Sequence, residues 1–106
     1  MITSITVKEL KERIDQGKKP FVLDVREPFE RDICKLDDDK HISMREIQQR
    51  FQELDQKKEI VVYCRSGQRS HNVCLFLQKQ GFENVCNLTG GILAWANEID
   101  PTCPKY

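Results

Sequence analysis

The sequence predicts an α/β fold: a central, mostly parallel sheet of about five strands with helices on both faces. Three observations predict it. Short apolar segments alternate along the chain with segments of helical periodicity, as in βαβ units joined by right-handed crossovers. Two of the apolar segments, Phe21-Val22-Leu23-Asp24-Val25 and Ile60-Val61-Val62-Tyr63, are nearly continuous rather than alternating, the mark of strands buried on both faces. Capping signals and glycine stops then punctuate the helical segments.

Thr6-x-x-Glu9 is a capping box that opens a helix with Val7, Leu10 and Ile14 on one face, ending at Gly17. Lys18-Lys19-Pro20 turns the chain into the strand at 21–25. Arg26-Glu27-Pro28 ends that strand, and Pro28 suits the first position of a short helix through Ile33. Cys34 to Lys40 reads as an irregular acidic loop, with Asp37-Asp38-Asp39 as a solvated turn, and His41-Ile42 as a short strand. Ser43-x-x-Glu46 is a second capping box, and the helix behind it places Met44, Ile47, Phe51 and Leu54 inward. A charged turn, Gln56 to Glu59, leads into the central strand. The next helix starts near Arg69 or Ser70, because Val73, Phe76, Leu77 and Gln80 recur at helical spacing, and it stops at Gly81. Asn84 to Leu88 is a strand, Thr89-Gly90-Gly91 a tight turn, and Ile92 to Ile99 a helix packing through Trp95 and Ile99.

At 106 residues the chain is expected to form one domain over 1–106, with a core that buries roughly 65% of the unfolded surface. The formal net charge is zero, so composition points to neither nucleic acid nor an anionic membrane as partner. No h-region follows Met1 and no apolar run approaches spanning length, which makes a cytoplasmic protein the expectation. The five cysteines are an odd number with irregular spacing and no Cys-x-x-Cys pair, so reduced thiols are expected. Cys34, Cys74 and Cys86 read as small apolar residues, Cys34 having the alternative of a resolving thiol. Cys103 reads as exposed and prone to intermolecular oxidation. His71 and Cys74 offer only two ligands at i, i+3, so neither a metal nor another cofactor is called for.

Cys64 is different. It stands where the central strand gives way to a loop and then a helix N-terminus, the sheet edge at which α/β proteins bind ligands. Loop amides can form an anion nest there, and the first helical turn adds unpaired donors. Arg65 and Arg69 add charge, and no acid lies between Cys64 and Gln80. Such surroundings can lower a cysteine pKa from about 8.5 into the range of about 3.5 to 7.5. Gly67 suits a positive φ or a close approach to whatever the sulfur carries.

The stretch Cys64-Arg65-Ser66-Gly67-Gln68-Arg69-Ser70 resembles the active-site loop of rhodanese-like sulfurtransferases. Asp24-Val25-Arg26-Glu27 is similar to the Asp-Val-Arg element of that family, and Thr89-Gly90-Gly91 with Ala94-Trp95 to its Gly-Gly-x-x-x-Trp element. The segment from Gly90 to Pro101 is also similar to rhodanese domains appended to E1-like adenylyltransferases. One departure is Leu36 to His41, where the family often has a Pro-Gly-Ala turn. The resemblance implies that Cys64 attacks the outer sulfur of a donor, thiosulfate or a protein persulfide, and carries it as a persulfide to a thiol or cyanide. It implies that residues 65–70 hold the donor and the terminal sulfur, and that Asp24 and Arg26 organise the floor beneath the loop.

Two other functions use the same residues. One is a cysteine phosphatase or arsenate reductase on the same fold; a phosphatase needs an arginine six positions after its nucleophile to clamp the phosphoryl oxygens, whereas here that position is Ser70 and Arg69 arrives one early. A non-catalytic rhodanese-like interaction module would leave Cys64 passive, and the retention of Gly67 and both arginines speaks against it.

Overall fold

A computed structural model describes residues 2–106. Five strands form its sheet: Thr3–Ile5 (β1), Phe21–Asp24 (β2), Lys40–His41 (β3), Ile60–Tyr63 (β4) and Val85–Leu88 (β5). Every neighbouring pair is parallel, in the order β1-β5-β4-β2-β3. β4 therefore lies at the centre, with β2 and β5 on its flanks. All four of its residues are buried. Their alternation splits the core in two. Ile60, Val62 and the following Cys64 pack on one face with Ile47, Leu54, Val73 and Leu77. Val61 and Tyr63 pack on the other with Leu10, Leu88, Ile92 and Ala96. Burying each of these aliphatic side chains contributes on the order of 1.5–3 kcal/mol relative to leaving it in water.

The helices follow from the same division. Val7–Asp15 (α1) and Gly91–Glu98 (α5) lie together on the second face. Ile47–Arg50 (α3) and Gln68–Lys79 (α4) cover the first, and Pro28–Ile33 (α2) leaves the C-terminal end of β2. The first capping box forms as expected: Glu9 N–H donates to Thr6 Oγ1 and Thr6 N–H to Glu9 Oε1, at 3.1 and 2.9 Å.

Several expectations are corrected. The fifth strand, β1, precedes α1; two of its three residues are exposed, so it carries no apolar run, yet its register with β5 closes the sheet edge. Ser43 does not cap a helix through its side chain. Its hydroxyl turns to Glu46 Oε1 at 3.3 Å, and residues 44–54 break into a 3-10 turn, the single turn of α3 and a second 3-10 turn. Met44 is consequently exposed. The acidic triplet is only partly solvated: Asp39 takes both Nη groups of Arg31 and accepts from the Tyr63 hydroxyl, its side chain almost fully buried. Trp95 is half-buried and, with Leu10, Ile14 and Leu36, lines a cavity of about 250 Å³.

The cysteines are not all reduced. Cys34 and Cys103 form a disulfide across a sequence separation of 69, and Cys103 is buried. Spacing could not show this, because the chain after α5 must first turn back to the loop after α2. Cys64, Cys74 and Cys86 are free and buried.

Candidate active site

The C-terminal ends of parallel strands converge on Cys64, the residue after β4, with Asp24 at the end of β2 and Asn87 near the end of β5 beside it. The backbone then bends so that Gly67, at φ +110°, becomes the N-cap of α4. A side chain is poorly tolerated at that φ, and this is the conformational role the glycine has. The helix begins at Gln68, earlier than periodicity suggested, because no side-chain cap marks its start.

Gly67 N–H donates to Cys64 Sγ at 3.1 Å, and the Ser70 hydroxyl lies 3.4 Å from the same sulfur. Burial pushes the Cys64 thiol up. The Ser70 hydroxyl and the N–H groups of Ser70, Gly67 and Ser66 outweigh it, and the thiol lies below its ordinary value. The amide nest expected from the sequence is thus the main source, joined by the Ser70 hydroxyl; of the two arginines, Arg69 adds a weaker attraction. The other free thiols go the opposite way. Burial pushes Cys74 up to about 12 and Cys86 up to about 11.

The loop is held from below by α5. Ile92 N–H donates to the Cys64 carbonyl at 3.0 Å and Leu93 N–H to the Arg65 carbonyl at 3.1 Å. A β-carbon on Gly91, at φ +58°, would press into both carbonyls, so only glycine allows this approach. Asn87 ties the loop from the side: its Nδ2 donates to the Gly67 carbonyl at 3.0 Å, and its Oδ1 accepts from the Ser70 hydroxyl. Ser70 has one proton for two acceptors, the amide oxygen and the sulfur.

The two arginines have different surroundings. Arg69 is clamped by both oxygens of Glu30, at 2.8 Å each. That ion pair, with help from Glu27 N–H and the Tyr106 hydroxyl, holds the Glu30 carboxyl down at about 2 against the cost of burial. Arg65 is exposed; its Nε donates to the main-chain oxygen of Tyr106, and its guanidinium lies 5.3 Å from the Tyr106 ring centroid. Ser66 and Gln68 are exposed at the loop surface.

Asp24 and Arg26 form a buried pair next to the loop. Both Asp24 oxygens accept from Arg26, at 3.0 Å, and Oδ2 also accepts from Arg31 at 2.9 Å. Arg26 further donates to the carbonyls of Glu30 and Cys34 and to the Tyr106 hydroxyl. Its charge is fully spent on the protein. Breaking such a pair from one side costs about 3–5 kcal/mol, since the other charge is left buried and alone.

Sequence reasoning missed Glu30, Asn87 and Tyr106. Each reaches the loop from another element, and only the Asn before Leu88-Thr-Gly-Gly had a positional signal, being a polar residue in a buried strand. The 250 Å³ cavity beside Trp95 includes none of the loop residues. Hydrogen bonding, not the size of a hollow, therefore distinguishes Cys64. A buried but polarised thiol at the mouth of an α/β sheet is suited to covalent transfer of a small, soft atom.

Comparison with known proteins agrees in sequence and in structure. Residues 6–98 match the Rhodanese-like domain. The chain is 41% identical over 100 residues to YtwF of Bacillus subtilis, which carries a sulfurtransferase name, covering 94% of this chain and 96% of that one. It is 35% identical over 96 residues to a sulfurtransferase of Allochromatium vinosum, covering 91% and 90%. It is also 35% identical to the adenylyltransferase/sulfurtransferase MoeZ of Mycobacterium tuberculosis, covering 98% of this chain but 27% of MoeZ. A rhodanese-related crystal structure from Thermoplasma volcanium superposes with TM-score 0.83 at 33% identity, over 92% of this chain and 93% of the other. Among the described residues, no helix is long and apolar enough to cross a membrane.

Proposed function

This chain belongs to the rhodanese-like domain family, and from that premise we propose that it transfers sulfane sulfur through a persulfide on Cys64. Sulfurtransferase names among relatives at 35–41% identity support sulfur transfer in general. The observation that carries the finer reading is the Gly67 N–H on Cys64 Sγ, joined by the Ser70 hydroxyl. These donors favour the thiolate, the nucleophilic form.

The reaction then needs no separate base. Cys64 thiolate attacks the outer sulfur of thiosulfate; the new S–S bond forms as the old one breaks, and sulfite leaves with the electron pair. The product is an anionic persulfide whose terminal sulfur takes the place of the thiolate among the amides of Ser66, Gly67 and Ser70. Cyanide attacks that sulfur to give thiocyanate, or a thiol takes it as a new persulfide, and the Cys64 thiolate returns. A protein persulfide can replace thiosulfate as donor by the same displacement. MoeZ, which joins a matching domain to an adenylyltransferase, and the Bacillus subtilis protein YrkF, named a sulfur carrier, support protein partners of this kind.

Arg65 is the more exposed cation of the loop and the one without a carboxylate clamp, because Arg69 is committed to Glu30. Asp24 and Arg26 act on the site by position alone. The spacing that brings Ser70 rather than an arginine to the sulfur supports sulfur over phosphoryl transfer, since no guanidinium stands where three phosphoryl oxygens would need one. The test is mass spectrometry of the protein after incubation with thiosulfate. One added sulfur on the Cys64 peptide, absent in Cys64→Ala and discharged by cyanide, is the expected result. A chain that gains no sulfur from thiosulfate or from a protein persulfide would overturn it.

A further inference from the structure

Cys64 is 1% exposed, so a donor reaches its sulfur only when some neighbouring side chain moves. The arginines that follow Cys64 in its loop are linked to Glu30 and to Tyr106, in the segment after α5. Tyr106 covers the Arg65 guanidinium with its ring and takes Arg65 Nε on its main-chain oxygen. Its hydroxyl accepts from Arg26 Nη1 at 2.9 Å and donates to Glu30 Oε1 at 2.8 Å, the carboxylate that clamps Arg69. Both arginines of the loop are therefore tied, directly or through Glu30, to one aromatic residue that lies far from them in sequence.

What holds Tyr106 there is covalent. Cys103, three residues before it, is bonded to Cys34. Cys34 is itself fixed, because its carbonyl accepts from the buried Arg26 Nη2 at 2.7 Å. Three residues reach at most about 10 Å, and Pro104 stiffens that short leash. With the disulfide intact, Tyr106 is presented to Arg65 at high effective concentration. With it broken, residues 100–106 lose that covalent tie, and ordering them costs backbone entropy that their non-covalent contacts must meet.

We propose that residues 100–106 are a redox-released strap, in which the Cys34–Cys103 disulfide holds Tyr106 over Arg65 and screens the Cys64 site from small anions until a dithiol reduces it. The chemistry balances. Two electrons and two protons from the dithiol, which becomes a disulfide, convert the S–S bond into two thiols at Cys34 and Cys103. Arg65 is then free to draw an anionic donor to the sulfur. The role of Arg65 as donor guide rests on the sulfur-transfer reading; the strap itself does not.

Alkylation of Cys64, followed by peptide mass spectrometry, tests the strap without requiring sulfur transfer. Rates with iodoacetate, an anion, and iodoacetamide, its neutral counterpart, are compared in four proteins. These are the disulfide form, the dithiol-reduced form after desalting under argon, C34S/C103S, and Tyr106→Ala with the disulfide intact. The last three should gain rate with both reagents. The iodoacetate-to-iodoacetamide ratio should rise about fivefold, the factor that one unscreened charge a few ångströms away is worth in water. An equal ratio in all four overturns the proposal, and the reduced wild type decides the matter should the double variant fail to fold. Thiosulfate loading of the same samples separates the two ideas. A shifted ratio with no sulfur gained in any form leaves the strap standing and the transfer reading refuted; equal loading with an unchanged ratio does the reverse.

Discussion

Removing the Ser70 hydroxyl should raise the Cys64 pKa and lower the share of the thiol that is ionised at neutral pH. In Ser70→Ala the sulfur loses a donor 3.4 Å away but keeps the N–H groups of Ser66, Gly67 and Ser70. A hydrogen bond to a charged group contributes about 1.5–3 kcal/mol. The long distance, the competing amide oxygen of Asn87 and the diffuse charge of sulfur place this one at the low end. About 1.4 kcal/mol is a factor of ten in the thiolate population below the midpoint. The sign follows from which form is stabilised: the hydroxyl favours thiolate, so its loss raises the pKa toward that of a free thiol. Measured as the pH dependence of Cys64 alkylation by iodoacetamide, the midpoint should move up. At pH values below both midpoints the rate should fall about threefold to fourfold, because the loss of thiolate is partly offset by the greater nucleophilicity of a more basic sulfur. An unmoved or lowered midpoint in a folded Ser70→Ala protein would refute the view that side-chain hydrogen bonding, added to the amide cradle, sets this ionisation.

Three further outcomes are expected. Gly91→Ala should cost at least about 3 kcal/mol in urea unfolding and abolish sulfur loading, because the new methyl group would meet the Cys64 and Arg65 carbonyls, which are main chain and cannot swing aside. Glu30, held at about 2 in the fold against about 4.3 in the unfolded chain, contributes about 2–3 kcal/mol above the higher value and loses it as pH falls through the lower. Stability curves between pH 5 and pH 2 should therefore be flatter for Glu30→Gln than for the wild type. Cys74 and Cys86, pushed up to about 12 and about 11, should remain unlabelled in the native protein at pH 8 while Cys64 reacts, as peptide mass spectrometry would read directly.

Much of this architecture was legible because it is local. The box at Thr6 and Glu9, the proline at the start of α2 and the apolar run of β4 each announce themselves within a few residues, and all appear in the fold. So does the position of Cys64 between strand and helix. What stayed hidden depends on returns of the chain. Glu30 neutralises Arg69 across 39 residues, so a loop that reads as basic is charge-paired. Asn87 serves the loop from β5, where a buried polar residue in a strand signals a partner without naming it. Asp39 looked like one of three solvated acids, but Arg31 and Tyr63 claim it and leave its neighbours outside. The Ser43 box failed for a local reason: a 3-10 turn brings the Glu46 side chain to the serine hydroxyl instead of closing the reciprocal pair. The cysteine count misled because an odd number is compatible with one closed bridge and three free thiols.

The two carbonyls gripped by the first turn of α5 determine what happens on the opposite edge of their own peptide planes. In a trans peptide the N–H points away from the C=O of the same unit. Fastening the Cys64 carbonyl to Ile92 therefore orients the amide of Arg65, and fastening the Arg65 carbonyl to Leu93 turns the amide of Ser66 toward the sulfur side. The first turn of α5 thus acts as a lever on the polarity around the Cys64 sulfur. Tilting that helix by a fraction of a turn would rotate those dipoles off the sulfur and weaken its hold on negative charge, with every residue from 64 to 70 unchanged.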